Sequence, residues 1–106
     1  MSNSLPAPSA AKSDPRALEM IRVWVAKKGL HTALNIGFWH DQEMYEADAW
    51  GILLADMGRQ IAAAHEEAYG RDRRETVVAI REALDREFTR PTSEVRGSFV
   101  GKRQGT

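Results

Sequence analysis

Residues 18–40 read LEMIRVWVAKKGLHTALNIGFWH, and this stretch decides the architecture. Two runs rich in β-branched and aromatic residues, 18–26 and 30–39, flank Lys27-Lys28-Gly29. Such runs favour extended backbone, and a glycine between them supplies the positive φ of a tight turn. The stretch predicts a β-hairpin with a two-residue loop at Lys28-Gly29. That loop pairs Val23 with Leu34, Ile21 with Ile36 and Val25 with Thr32, and sets Phe38 opposite Glu19. One face then collects nearly all the aliphatic side chains. A three-residue loop would pair Val23 with Ala33 and Ile21 with Asn35, mixing the faces, so the first register is expected to win. The second face carries Met20, Arg22, Trp24 and Ala26 beside His31, Ala33, Asn35, Gly37 and Trp39, and is half polar.

Beyond His40 the apolar period changes from 2 to 3.6. Trp50, Leu53, Leu54, Met57, Ile61, Ala64 and Ala68 make one helical stripe. Asp41, Glu43, Glu46 and Asp48 precede it, at the positive end of a helix dipole. The first helix starts between Asp41 and Ala47 on this reading, and Gly70 ends it. Asp72, with Glu75 three residues on, is an acidic variant of the capping box and opens a second helix. Val77, Ile80, Leu84 and Phe88 are its apolar stripe, and Pro91 stops it. The short joint at Gly70-Arg71 predicts an antiparallel helix pair. The expected fold is α+β, a β-hairpin followed by a two-helix hairpin (ββαα). An isolated two-stranded hairpin is unstable, so its aliphatic face is expected to pack on the helices.

Three of the four prolines fall in residues 1–16, which are rich in Ser and Ala and read as a disordered tail. Residues 17–91 form the single domain on this reading. Residues 92–106 hold one apolar pair, Phe99-Val100, between glycines. They suit either an ordered role, as an added edge strand or a cover over the sheet, or a disordered tail.

Composition narrows the function classes. The chain has 106 residues, a formal net charge of +0 and no cysteine, which removes disulfides, thiolate nucleophiles and sulfur-based zinc sites. No apolar run approaches the ~20 residues of a bilayer-spanning helix. Residues 1–16 lack the basic and apolar segments of a secretory signal, so the cytoplasm is the expected address. Basic residues concentrate toward the C-terminus, with Arg90, Arg96, Lys102 and Arg103 against the single acid Glu94. An acidic body with a basic tail is poor material for a dedicated nucleic-acid binder, whose affinity rests on neutralised phosphates.

No catalytic constellation emerges. His31, His40 and His65 have no second histidine at ligand spacing, so no metal is expected. Glu43, Glu46 and Asp48 read as solvated, dipole-stabilising carboxylates rather than an acid–base pair. Serines lie only toward the ends of the chain, none on a nucleophile turn. The segment GSFVG at 97–101 lacks the lysine and the following helix of a phosphate loop. No cofactor is expected, and the chain is not expected to be an enzyme.

Two features ask for a partner. Gly51, Ala55, Gly58 and Ala62 form a small-residue row beside the apolar stripe of the first helix. Glycine within a helix costs about 1 kcal/mol relative to alanine, so the row suggests close approach of another backbone. That backbone is the domain's own hairpin or second helix on one reading, and a second subunit on the other. The sheet face bearing Arg22, Trp24, His31, Asn35 and Trp39 is the second feature. Exposed aromatic patches of this kind commonly mark interfaces. The alternatives are cover by residues 92–106 or by a helix, a protein partner or second copy, and a small ligand stacked on tryptophan. The preferred reading is a self-associating or protein-interaction module, a homodimer among the options, with a small-ligand sensor as the alternative.

Ile21-Arg22-Val23-Trp24, Leu34-Asn35-Ile36-Gly37 and above all Ala49-Trp50-Gly51-Ile52-Leu53-Leu54-Ala55-Asp56 resemble an uncharacterised family of small bacterial domains of unknown function, of proteobacterial type. The resemblance covers about residues 18–99. It implies a bacterial, cytoplasmic protein and supplies no activity, ligand or catalytic residue.

Overall fold

A computed structural model of the chain describes residues 3–40 and 45–100, and for Phe99 and Val100 the backbone alone. A short N-terminal helix, α1 (Ser9–Ser13), buries none of its residues. It precedes the hairpin of β1 (Ile21–Ala26) and β2 (Gly29–Asn35), the helices α2 (Glu46–Tyr69) and α3 (Arg73–Thr89), and a last strand, β3 (Val95–Val100). The architecture is α+β, with the ββαα order joined by a third strand.

The hairpin turns one residue earlier than expected. Lys27 and Lys28 occupy the loop, with φ of 49° and 62°, and Ala26 pairs with Gly29. Two successive positive φ values make a type I′ turn, whose twist matches that of the flanking strands. The pairing is therefore Ile21 with Leu34, Val23 with Thr32 and Val25 with Leu30. This corrects the expected register by two residues. Because side chains alternate with period 2, a two-residue shift leaves every side chain on its expected face.

A second correction concerns the end of β2. The strand stops at Asn35, and residues 36–40 turn away from the sheet. Gly37 takes φ of 102°, a conformation that breaks the extended run. Phe38 and Trp39 are therefore not strand residues, and Phe38 is not paired with Glu19.

β3 lies parallel to β2 and makes it the central strand of the order β1-β2-β3. Leu30 pairs with Val95, His31 with Arg96 and Thr32 with Gly97. A parallel neighbour needs a long connection, and the two helices supply it. Gly97 is required sterically: a Cβ there would stand 1.9 Å from the carbonyl oxygen of Thr32.

The helix pair follows its local signals. α2 begins at Glu46, inside the expected window, and of the acidic run ahead of it Asp41 and Glu43 lie outside the described residues. Gly70 takes the left-handed conformation, φ 69°, and its N–H donates to the Glu66 carbonyl. The Asp72 side chain accepts from the Glu75 N–H at 3.0 Å, the expected cap. Arg73 donates to Glu66 at 2.7 Å and ties the two helix ends across the joint.

A third correction concerns the core. The close backbone approaches run strand to strand and helix to helix. The helices do not seal the aliphatic face of the sheet, where Val25 is 80% and Val23 47% exposed. Among the described residues only Ala49 and Ala62 are buried apolar side chains, and no large side chain is fully buried. The radius of gyration is 15.9 Å, against about 13 Å for a compact chain of this length. Exposed surface totals 9321 Å², where a compact monomer of this mass exposes about 6,000 Å².

Candidate functional site

The two halves of the molecule meet at the turn after β2. There the Glu46 carboxylate, in the first turn of α2, accepts from the buried Gly37 N–H at 2.8 Å and from Trp50 Nε1 at 3.2 Å. Trp39 packs edge-on against Trp50, with ring centroids 5.5 Å apart and planes at 88°, and Phe38 packs edge-on against Trp39. Trp39 is thus a hinge residue between sheet and helix rather than part of the sheet face. Its sequence position predicted a strand because nothing local announces the bend except Gly37.

The remaining candidates on the polar face divide in two. Glu19 engages one group: its carboxylate holds Arg22 at 2.8 and 3.1 Å, and its carbonyl accepts from Asn35 Nδ2 at 3.4 Å. Trp24 and His31 are the other group, direct partners across β1 and β2. β3 extends their row with Arg96, opposite His31. Sequence reasoning did not place Arg96 in this row, because a parallel pairing across two intervening helices has no local signature. Trp24 remains 38% exposed. The face is therefore a short row of indole, imidazole and guanidinium, open to solvent and reduced by the loss of Trp39.

The small-residue row of α2 divides along its length. Ala62 is completely buried, and a Cβ on Gly58 would stand 3.8 Å from Ile80 Cγ2 of α3. Toward the N-terminal end of α2, Gly51 has no neighbour within that reach. The missing side chains there leave a groove of about 330 Å³. Leu54 and Ala55 of α2 and Val77, Ile80, Leu84 and Phe88 of α3 line it, with Arg59, Arg81 and Asp85 also at its surface. Arg59 is paired with Asp56 on its own helix. Phe88 is 75% exposed, and Leu54 and Leu84 are also exposed. Apolar side chains at helical spacing, open to water along most of a two-helix pair, are a surface awaiting cover.

A family described as "Domain of unknown function (DUF5076)" matches residues 4–92. The chain belongs to this family. The match spans the hairpin and both helices of the DUF5076 chain and ends before β3. A solved structure from the photosynthetic bacterium Rhodopseudomonas palustrus, described as a "putative pyruvate dehydrogenase", is similar at 26% identity with a TM-score of 0.65. The similarity covers 89% of this chain and 91% of that one, so the two are of comparable length. No curated protein matches the sequence. Among the described residues no helix is long and apolar enough to cross a membrane, and no three His, Asp or Glu side chains converge as metal ligands.

Proposed function

We propose that this DUF5076 chain is a non-enzymatic, bacterial, cytoplasmic module that works by protein association, and that its first partner is a second copy of itself. One observation carries the reading: apolar side chains are exposed along both helices and one sheet face, and among the described residues no large side chain is fully buried. Hydrophobic burial is the dominant favourable term in folding, and a small domain without it gains stability by assembling. The surface beyond the compact expectation is on the order of 3,000 Å². The exposed N-terminal segment, α1 included, accounts for part of it. The rest is comparable to what an obligate subunit covers, roughly 1,000–2,500 Å² on each partner.

Light scattering coupled to size exclusion tests the proposal. A dimeric or larger mass that persists on dilution into the low micromolar range is expected. A monodisperse monomer with cooperative unfolding would overturn it.

A second reading rests on the Trp24–His31–Arg96 row, in which an aromatic face lies beside a guanidinium that Glu94 holds at 3.1 Å and that a small anionic ligand would have to share or displace. Fluorescence of Trp24, isolated by replacing Trp39 and Trp50 with Phe, measures it directly, and an unchanged signal across a metabolite panel removes it. The dehydrogenase description of the structural neighbour supports a third possibility, a non-catalytic subunit in a complex whose other chains carry the chemistry.

A further inference from the structure

Three surfaces of the molecule are open to the self-association proposed above. The aliphatic sheet face is open, but no charged pair on it specifies an occupant. The outer edges of β1 and β3 offer backbone pairing without selecting a partner. The groove between α2 and α3 offers shape and charge together.

We propose that the α2–α3 groove is filled by the same two helices of a second copy, giving an antiparallel four-helix bundle about a two-fold axis. The inference rests on the self-association reading and specifies its geometry. Shape is the first argument. Gly51 and Ala55, exposed at the open end of the row, present no large side chain, so a partner helix can approach closely there, and Leu54, Leu84 and Phe88 stand exposed beside them to pack on it. Charge is the second. Arg81 and Asp85 lie one helical turn apart on α3 at the groove surface, and neither side chain has an ion-pair or hydrogen-bond partner among the described residues. A two-fold contact is self-complementary: if residue i meets j, then j meets i. Arg81 of each copy opposite Asp85 of the other pairs all four charges through one symmetric set of contacts. Area is the third. Two helices of 24 and 17 residues run about 36 and 26 Å, long enough for a standard interface of roughly 800 Å² per partner.

The experiment compares variants by light scattering across a dilution series, with far-ultraviolet circular dichroism checking that the helices persist. Ala55→Arg and Leu84→Lys place long cations in the groove, and each is expected to convert the dimer to a monomer. Arg81→Glu is expected to weaken association by roughly tenfold or more, and the exchanged double variant Arg81→Glu/Asp85→Arg to restore it. Restoration is a readout that simple misfolding does not produce. Because the chain has no cysteine, Ala55→Cys reports one position cleanly. It should cross-link copy to copy with a short bis-maleimide, whereas Val25→Cys on the sheet should not. If the wild type is dimeric but Val23→Lys or Val25→Lys disrupts it and the groove variants do not, the groove assignment falls and self-association stands. A monomeric wild type removes both.

Discussion

The Gly37 N–H donates to Glu46 Oε2 at 2.8 Å, nine residues ahead in the chain. The same oxygen accepts from Trp50 Nε1 at 3.2 Å, so one carboxylate joins the exit from the sheet to the first turn of α2. Gly37 is buried, and a buried N–H left without an acceptor costs its full desolvation. The carboxylate also sits where the helix dipole favours negative charge. Glu46→Ala is expected to lower unfolding free energy by about 2 kcal/mol, measured by urea denaturation at fixed protein concentration. Glu46→Gln, which keeps an acceptor oxygen, should lose less. Equal losses for the two variants would mean that charge, not the paired hydrogen bonds, sets the effect.

The hairpin loop is open to improvement. Lys27 and Lys28 both hold positive φ, a conformation that costs a residue with a Cβ roughly 1 kcal/mol. Asn-Gly is the preferred pair for this turn. The double variant Lys27→Asn/Lys28→Gly is expected to stabilise the chain by about 1 kcal/mol, raising Tm by about 4–8 °C for a domain of this size. A scanning calorimetry trace with unchanged or lower Tm would contradict the turn assignment.

Attachment of β3 depends on a single position. At Gly97 a side chain would collide with the backbone of Thr32, which cannot yield as a flexible side chain can. Gly97→Ala is expected to cost about 1–3 kcal/mol and to release β3 from β2. Ser98→Ala, one residue along and opposite Ala33, should be nearly silent. Amide hydrogen exchange on β2 distinguishes them, since only the glycine variant should lose protection there.

The segment leading into β3 carries a pH-sensitive clip. Glu87 near the end of α3 accepts from the Thr92 N–H and from the Thr92 hydroxyl, each at 2.9 Å. The backbone hydrogen bond first, then the hydroxyl, hold its carboxyl below the ordinary value of 4.5. A carboxyl depressed in the folded state contributes stability that is present above its unfolded pKa. That contribution is lost as pH falls below about 4.5 and through the depressed value. Titration followed by NMR should show the Glu87 carboxyl below the ordinary glutamate value. Thr92→Ala should move Glu87 upward, removing the hydroxyl contribution while keeping the backbone one.

The joint between the halves should have an optical signature. Trp39 and Trp50 stand edge to face at 5.5 Å, a contact worth about 0.5–1.5 kcal/mol beyond its buried area. Trp39→Leu and Trp50→Leu are each expected to diminish the near-ultraviolet circular dichroism strongly. Trp24→Leu should change it least, because no aromatic contact is made by Trp24 among the described residues.

Much of the chain's local structure is legible in the sequence. Gly70, Asp72 with Glu75, and Pro91 mark helix ends through bonds or steric limits spanning a few residues. The sheet faces were also legible, although the register was not: parity survives a two-residue slip, whereas the turn depended on two lysines accepting a conformation that composition argued against. The candidate site was only half legible. Arg22, Trp24, His31 and Asn35 do lie on one face, while Trp39 left it because the Gly37 bend and the Glu46 carboxylate act together. In the sequence Glu46 is one dipole-stabilising charge among several, and no spacing rule marks it as the acceptor for a strand exit.

Residue order alone settles the β1–β2 hairpin and the faces of its paired residues, the two long helices, the glycine that ends α2 and the aspartate that caps α3, because those outcomes arise from interactions within a turn or two. Three matters required the folded chain: the parallel seat of β3 on β2, the pairing of Trp39 with Trp50, and the open stance of the helix pair beside the sheet. Each depends on groups far apart in the chain, where loop-closure entropy and packing compete and no short pattern records which contact prevails.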